Sequence, residues 1–285
     1  MSDRPDPQQP SKPRTSNGDR LRLGGMALEN GLLVYGPSCW AAAVRDKHGA
    51  IIVKSGKVPR LRGPIDKIPG LRGVARLAES MVVVPIVRGT LRQARLPFEN
   101  RSVVTAAAAT TAISMFAKSR KKRGVGTDVA VSLLGLTPAL ISLKAGNTAA
   151  YHGVEHKAIA AYEQGGDPTD PEVVEAAAKE HERCGSHLVA PMMIAGVAGD
   201  AVLRRAVAKP GLGAQTGVAL AGAAASIEMF GWAERHPESG FTKAFRAPGF
   251  ELQRVLGTRE PTTEQIEVGQ AAIERLLSVE PDGHA

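Results

Sequence analysis

Tyr151-His-Gly-Val-Glu-His-Lys157 is the segment of this chain whose residue types and spacing are best suited to chemistry. His152 and His156 are four apart, so on a helix their imidazoles share one face. That spacing lets both rings reach one divalent ion, with Zn–N bonds of about 2.0–2.1 Å. Glu155 directly precedes the second histidine. The order H-x-x-E-H matches the inverted zinc-protease motif, in which the glutamate acts as general base. Taken alone, the string is short, and paired histidines are otherwise surface or capping residues.

A second cluster, His181-Glu-Arg-Cys-Gly-Ser-His187, strengthens the metal reading. Four of the seven histidines fall within 36 positions. His181 and Cys184 are three apart, on one side of a helical turn that Gly185 could end. Between the clusters, Asp170 is placed to cap a new helix with Pro171 in its first position. A helix-loop-helix would fold the clusters together. Glu228 is a third candidate, a lone carboxylate at the end of an uncharged stretch that needs a partner or a wet cavity. The bland alternatives are a buried Cys184, a capping His181 and an exposed Glu228. Nitrogen, sulfur and oxygen donors together suit zinc.

The elements that must position these residues are mostly helical. A 285-residue chain with 43% apolar residues is ample for a folded core. Aromatic content is only 4%, so Ala- and Gly-rich helices are expected to pack closely. Residues 1–20 are polar and lack an apolar signal core, and we expect a disordered tail. Residues 21–70 form a basic region with a β-hairpin: Trp40–Val44 and Ile51–Lys54 flank a turn ending in Gly49. Pro59, Pro64 and Pro69 punctuate the connector after it. A helix starts near Leu71, with Leu71, Val74, Leu77, Ala78 and Met81 on one stripe, and Pro85 is expected to kink or end it. Residues 71–260 make up a helical, membrane-associated domain. Residues 261–285 hold an amphipathic helix, capped by Thr262 or Thr263, and a tail.

Four segments carry no charge: Ser102–Ala117, Val129–Leu143, Leu188–Gly199 and Gly211–Ile227. Each is shorter than the roughly 20 apolar residues of a full span. They fit either short spans packed through small residues or a soluble Ala-rich bundle. Loop charge leaves the topology in conflict. Both the Ser119–Arg123 loop and Arg204, Arg205 and Lys209 favour the cytoplasm, yet a cytoplasmic N-terminal half would force the first loop outside.

The net charge of +8 is uneven, with 18 Lys/Arg against 4 Asp/Glu over residues 45–123. Lipid headgroups are the expected partner of that surface. Only Phe98 and Phe116 lie among these charges, with no interleaved set of aromatic stacking residues, so nucleic acid is not an expected partner. Cys39 and Cys184 imply no disulfide framework.

The quoted motifs, with Ser226-Ile-Glu228, Ala247-Pro-Gly-Phe-Glu-Leu-Gln-Arg254 and Thr258-Arg-Glu-Pro261, resemble the YqhQ-like family. The resemblance runs from about Gly24 to Leu277. It implies a multi-spanning protein of the cell membrane, with its His/Cys segments facing the cytoplasm. The family has no assigned reaction and has been filed as metal-dependent enzymes. It points to His152, Glu155, His156, His181, Cys184 and Glu228. His187 stands where the family has a small polar residue, and the apolar segments are shorter than the family's spans. The sequence therefore predicts a mainly α, membrane-associated bundle with a small N-terminal β-hairpin region. Its expected function is a metal-dependent hydrolase with Glu155 as base and His152, His156, His181, Cys184 and Glu228 as candidate ligands. The alternative is a non-catalytic scaffold with a structural metal site.

Overall fold

The structure is a computed structural model that describes residues 20–59, 71–119, 124–144, 146–207 and 210–281. The expected N-terminal tail, most of the proline-punctuated connector and the Arg120–Arg123 loop lie outside the described residues.

The fold is mainly helical, but its strand region is larger than the expected hairpin. Strands β1 (Gly24–Leu28), β2 (Gly31–Tyr35), β3 (Cys39–Arg45) and β4 (Ile51–Lys57) form one antiparallel sheet in sequential order. The β3–β4 hairpin pairs Arg45 with Ile51. Its turn is closed by the Asp46 carboxylate, which accepts from His48 N and Ala50 N, and by Gly49 at a φ of +88°. The β1–β2 hairpin escapes the alternation test because both faces of the sheet are covered. On β3, Cys39, Ala41 and Ala43 face one apolar cluster, and Trp40, Ala42 and Val44 face a second. Small Ala side chains let helices approach both sides.

One face carries α5 (Thr148–Glu163) and α10 (Thr263–Val279). Helix α10 has Thr262 as N-cap in a capping box with Gln265. It lies across β2, β3 and β4, and Glu280 just beyond it accepts from Ser38 N and Cys39 N. The other face carries α1 (Leu71–Thr90) through Val83, Val84 and Val87. Two expectations for α1 need correction. Pro85 neither ends the helix nor kinks it into two elements: it is exposed, and buried valines on both sides hold the helix against the sheet. The expected apolar stripe also faces outward, since Leu77 is 45% and Met81 52% exposed while Glu79 is buried.

The remaining long helices form two hairpins. The first joins α2 (Arg101–Ser119) to α3 (Val125–Leu134) and α4 (Thr137–Lys144), and the second joins α7 (Val189–Ala206) to α8 (Leu212–Arg235). Two of the four uncharged segments fall in stretches long and apolar enough to cross a membrane, Val125–Lys144 and Gly185–Ala206. Ala, Gly, Ser and Thr dilute α2 and α8 below that level. Only 6% of each stretch is buried, unlike the core helix of a soluble protein. The hairpins are tied together by Asp128 on α3, which pairs with Arg204 on α7, and by Lys118 beside Asp200.

Candidate metal centre

Helix α5 sits between the sheet, α10 and the short α6 (Pro171–Ala176). Tyr151, Val154, Ala158, Ile159 and Tyr162 are core residues, so the motif they interleave is held inside the protein. His152 and His156 stack one turn apart, with ring centroids 4.3 Å apart. Each ring is oriented by a backbone carbonyl. Nδ1 of His152 donates to Gly257 O at 2.8 Å, and Nδ1 of His156 donates to Lys179 O at 2.6 Å. Both Nε2 lone pairs are therefore free to point at one place, the arrangement by which proteins preset histidine ligands.

Cys184 supplies the third donor. Its Sγ lies 3.4 Å from His152 Nε2. The three ligand atoms of His152, His156 and Cys184 lie within 4.8 Å of one another and could hold a metal ion. Tetrahedral zinc sets N and S donors about 3.5 Å apart, so the His152–Cys184 pair is already at that spacing and the widest separation would have to close by up to about 1.3 Å. His156 Nε2 is buried and makes no acceptable hydrogen bond to any described residue. A buried polar atom without a partner is costly, and an ion at this point would satisfy it. This is the structural reason the donor set fits a metal.

The loop that delivers Cys184 is fastened from several directions. Asp170 caps α6 by accepting from Glu172 N, with Pro171 first in the helix as expected. The buried Lys157 ammonium donates to Glu175 O and Ala177 O, both at 2.8 Å. Arg183 pairs with Glu163 and donates to Leu23 O. Gln253, fully buried, accepts from His181 N and donates to Ser186 Oγ. Residues 181–184 form a turn, and Gly185 opens a short 3₁₀ turn (Gly185–Leu188) where the sequence suggested a helix end. Cys184 caps that turn. Burial pushes its thiol up, but the neighbouring His156 ring and Ser186 outweigh burial and hold it below the usual range. Burial also keeps His156 below the ordinary histidine value, favouring the neutral ring that binds metals.

The other sequence candidates fall in different places. Glu155 is buried beside the ligands, against Gly25, where an added Cβ would lie 2.8 Å from its Cγ. Burial raises its carboxyl to about 7, opposed by His152 and reinforced by Cys184. His181 is not among the three grouped ligands. Its Nδ1 accepts from Arg183 N, and its Nε2 lies 3.4 Å from Glu163. His187 is buried with Nδ1 3.0 Å from Arg246 O and its ring edge-on to Phe250, a packing role that seats α9 (Gly240–Leu252). Glu228 lies half-buried on α8, outside both the ligand group and the cavity wall among the described residues. Sequence reasoning gave no role to Lys157, Glu163 or Gln253. Lys157 and Gln253 lay inside the quoted motifs without an assigned role, and the only signal of Glu163 was its charge.

A cavity of about 510 Å³ opens in front of the three ligands. His152, Glu155, His156 and Cys184 form its polar end together with Tyr35, and its remaining wall is largely apolar.

A family model described as "Protein of unknown function (DUF1385)" matches residues 143–279, the stretch that holds all the ligands. The chain is also 27% identical to the "Uncharacterized protein YqhQ" of Bacillus subtilis (strain 168) over 309 aligned positions, covering 90% of this chain and 92% of that protein. Both matches support the YqhQ-like resemblance. No solved structure matches the chain. The similarity spans sheet, hairpins and site together, and it carries no assigned reaction.

Proposed function

We propose that this chain is a membrane-associated, zinc-dependent hydrolase whose centre is His152, His156 and Cys184. The observation that carries the reading is the convergence of three donors on one point, with His156 Nε2 buried there and unsatisfied. A zinc ion in that position supplies Lewis-acid polarisation and a water nucleophile at neutral pH. Three protein ligands with a cavity in front of them fit a catalytic site better than a structural one, which closes its shell with four. Glu155 lines the same cavity and is the carboxylate placed to take up or return a proton there. Gly257 O and Lys179 O fix the imidazoles, and Tyr35 and Gly25 frame the carboxylate.

A structural zinc site in a scaffold is the second reading. The ring of His181 lies 5.6 Å from that of His156, near enough to become a fourth ligand if it left Glu163.

The test uses full-length protein purified in detergent without chelators. Elemental analysis should give about one zinc per chain, and His156→Ala should hold less than about a tenth of that. Glu155→Gln should keep its zinc. Cobalt substitution then separates the two readings. Added azide should change the visible spectrum of an open site and leave a four-ligand site unchanged. Wild-type protein that arrives and remains metal-free after zinc addition overturns the proposal. If Glu155→Gln loses zinc as fully as His156→Ala, Glu155 is a ligand and not the proton carrier.

A further inference from the structure

The metal centre accounts for one end of its cavity only. The rest of the wall is largely apolar, and the elements that build it are informative. Leu77, Met81 and Val84 come from α1, Ala139 and Leu143 from α4, and Leu252 from α9. Helix α4 ends the Val125–Lys144 stretch, which is long and apolar enough to cross a membrane. Val189, at the start of α7, brings in the second such stretch. The cavity thus lies where the sheet–α5 core meets the two most apolar segments of the chain.

Its apolar wall also continues onto the outer surface. Leu77 and Met81 line the cavity and are 45% and 52% exposed. Val82, next to Met81 on α1, is 45% exposed and extends the apolar surface beyond the cavity. Exposed side chains of this size are costly in water and without cost in hydrocarbon. Their continuity with the cavity gives a hydrocarbon chain a route inward that never crosses water. The volume of about 510 Å³ is in the usual range for a small-molecule site, roughly 300–1,000 Å³.

We propose that this cavity takes the hydrocarbon chain of a membrane lipid, entering sideways past Leu77 and Met81, with the lipid's polar linkage at His152, His156 and Cys184. The placement of the polar end rests on the zinc-hydrolase reading; the placement of the chain rests on the apolar wall alone. The substrate class is accordingly a membrane amphiphile, held by its chain along α1 and α4. Val84 and Leu252 mark the interior of the chain path, and Met81 marks its mouth.

The experiment uses full-length protein in nanodiscs of phosphatidylcholine and phosphatidylglycerol, doped with a phosphatidylcholine that carries a diazirine on one acyl chain. After illumination, adducts are mapped by mass spectrometry. Ile113 and Phe116, exposed on α2, report ordinary lipid contact. The proposal requires adducts on Val84 and Leu252 as well, and a fall of about tenfold at those two positions in Ala139→Trp, with α2 adducts unchanged. Adducts on α2 with none on Val84 or Leu252 in the wild-type protein overturn it, as does labelling at neither set. That wild-type pattern decides the matter even if Ala139→Trp does not fold. Repeating the labelling on zinc-stripped protein and on His156→Ala separates the two proposals. Interior adducts that persist in these zinc-free proteins show that the chain path stands without the metal, and interior adducts in wild-type protein that stays metal-free after zinc addition count against the metal reading alone. Zinc bound at one equivalent without interior adducts does the reverse.

Discussion

In α5, 14 of 16 residues are buried, among them Glu155, His156 and Lys157; in α7, 18 residues long and much more apolar, none is. A water-soluble protein sorts its helices the other way, with apolar residues inside and charged ones out. The inversion shows that the two regions are stabilised differently. Around the sheet, α5 and α10, stability comes from removing apolar surface from water and from pairing buried groups such as Lys157 and Glu280 with backbone partners, with His156 Nε2 left as an exception. In the α2–α4 and α7–α8 hairpins, little surface is removed, and the contacts are small residues and a few ion pairs. This is the pattern expected where the surroundings are hydrocarbon, as proposed above. Of the three candidate ligands, His152 and His156 belong to the first region and Cys184 to the loop beside it, and the cavity wall draws on both regions.

The comparison is broken most severely in the sheet. A Cβ added at Gly31 would lie 2.1 Å from Ala43 O and 2.7 Å from Val44 Cα, both backbone atoms of the paired strand. Gly31→Ala should therefore destabilise by more than about 3 kcal/mol, beyond ordinary overpacking. Thermal unfolding in detergent would read this, and an unchanged midpoint would mean that the β2–β3 pairing is loose at Gly31.

The next effect belongs to the hairpins. Asp128 is 3% exposed in its side chain and pairs with Arg204. Removing one partner of a buried pair strands the other charge, at a cost of roughly 3 kcal/mol, whereas removing both costs much less. Asp128→Leu should lower folded yield sharply, and the double variant Asp128→Leu with Arg204→Leu should recover most of it. Equal losses in the single and double variants would show that the pair does not hold the hairpins together.

The smallest effects test the packing of α7 on α8. At Gly199 an added Cβ would meet Val218 Cγ1 at 2.4 Å, whereas at Gly196 nothing lies within 4 Å. Gly199→Leu should cost about 1–3 kcal/mol. Gly196→Leu should stay within about 0.5 kcal/mol in detergent or bilayer. If the two variants unfold alike, the seam between α7 and α8 does not run through Gly199.

The sequence by itself determined what a few neighbouring residues can settle. The i, i+4 spacing put His152 and His156 on one face of a helix, because helical geometry follows from the backbone. Asp170 with Pro171, a threonine cap at Thr262 or Thr263, and the β3–β4 turn at Gly49 were likewise legible, since caps and turns are local hydrogen-bonding problems. Tertiary structure decided the rest. Cys184 joins the histidines, and His181 turns to Glu163, because Gln253, Arg183 and Lys157 fix the path of a loop far from α5 in sequence. The β1–β2 hairpin gave no alternating pattern because helices cover both faces of the sheet. The stripe of Leu77 and Met81 looked like a core face and became an outer one, because periodicity marks an apolar side without saying whether protein or hydrocarbon covers it. Glu228 stands on α8, outside the three grouped residues and the cavity wall among the described residues, a placement that no spacing along the chain encodes.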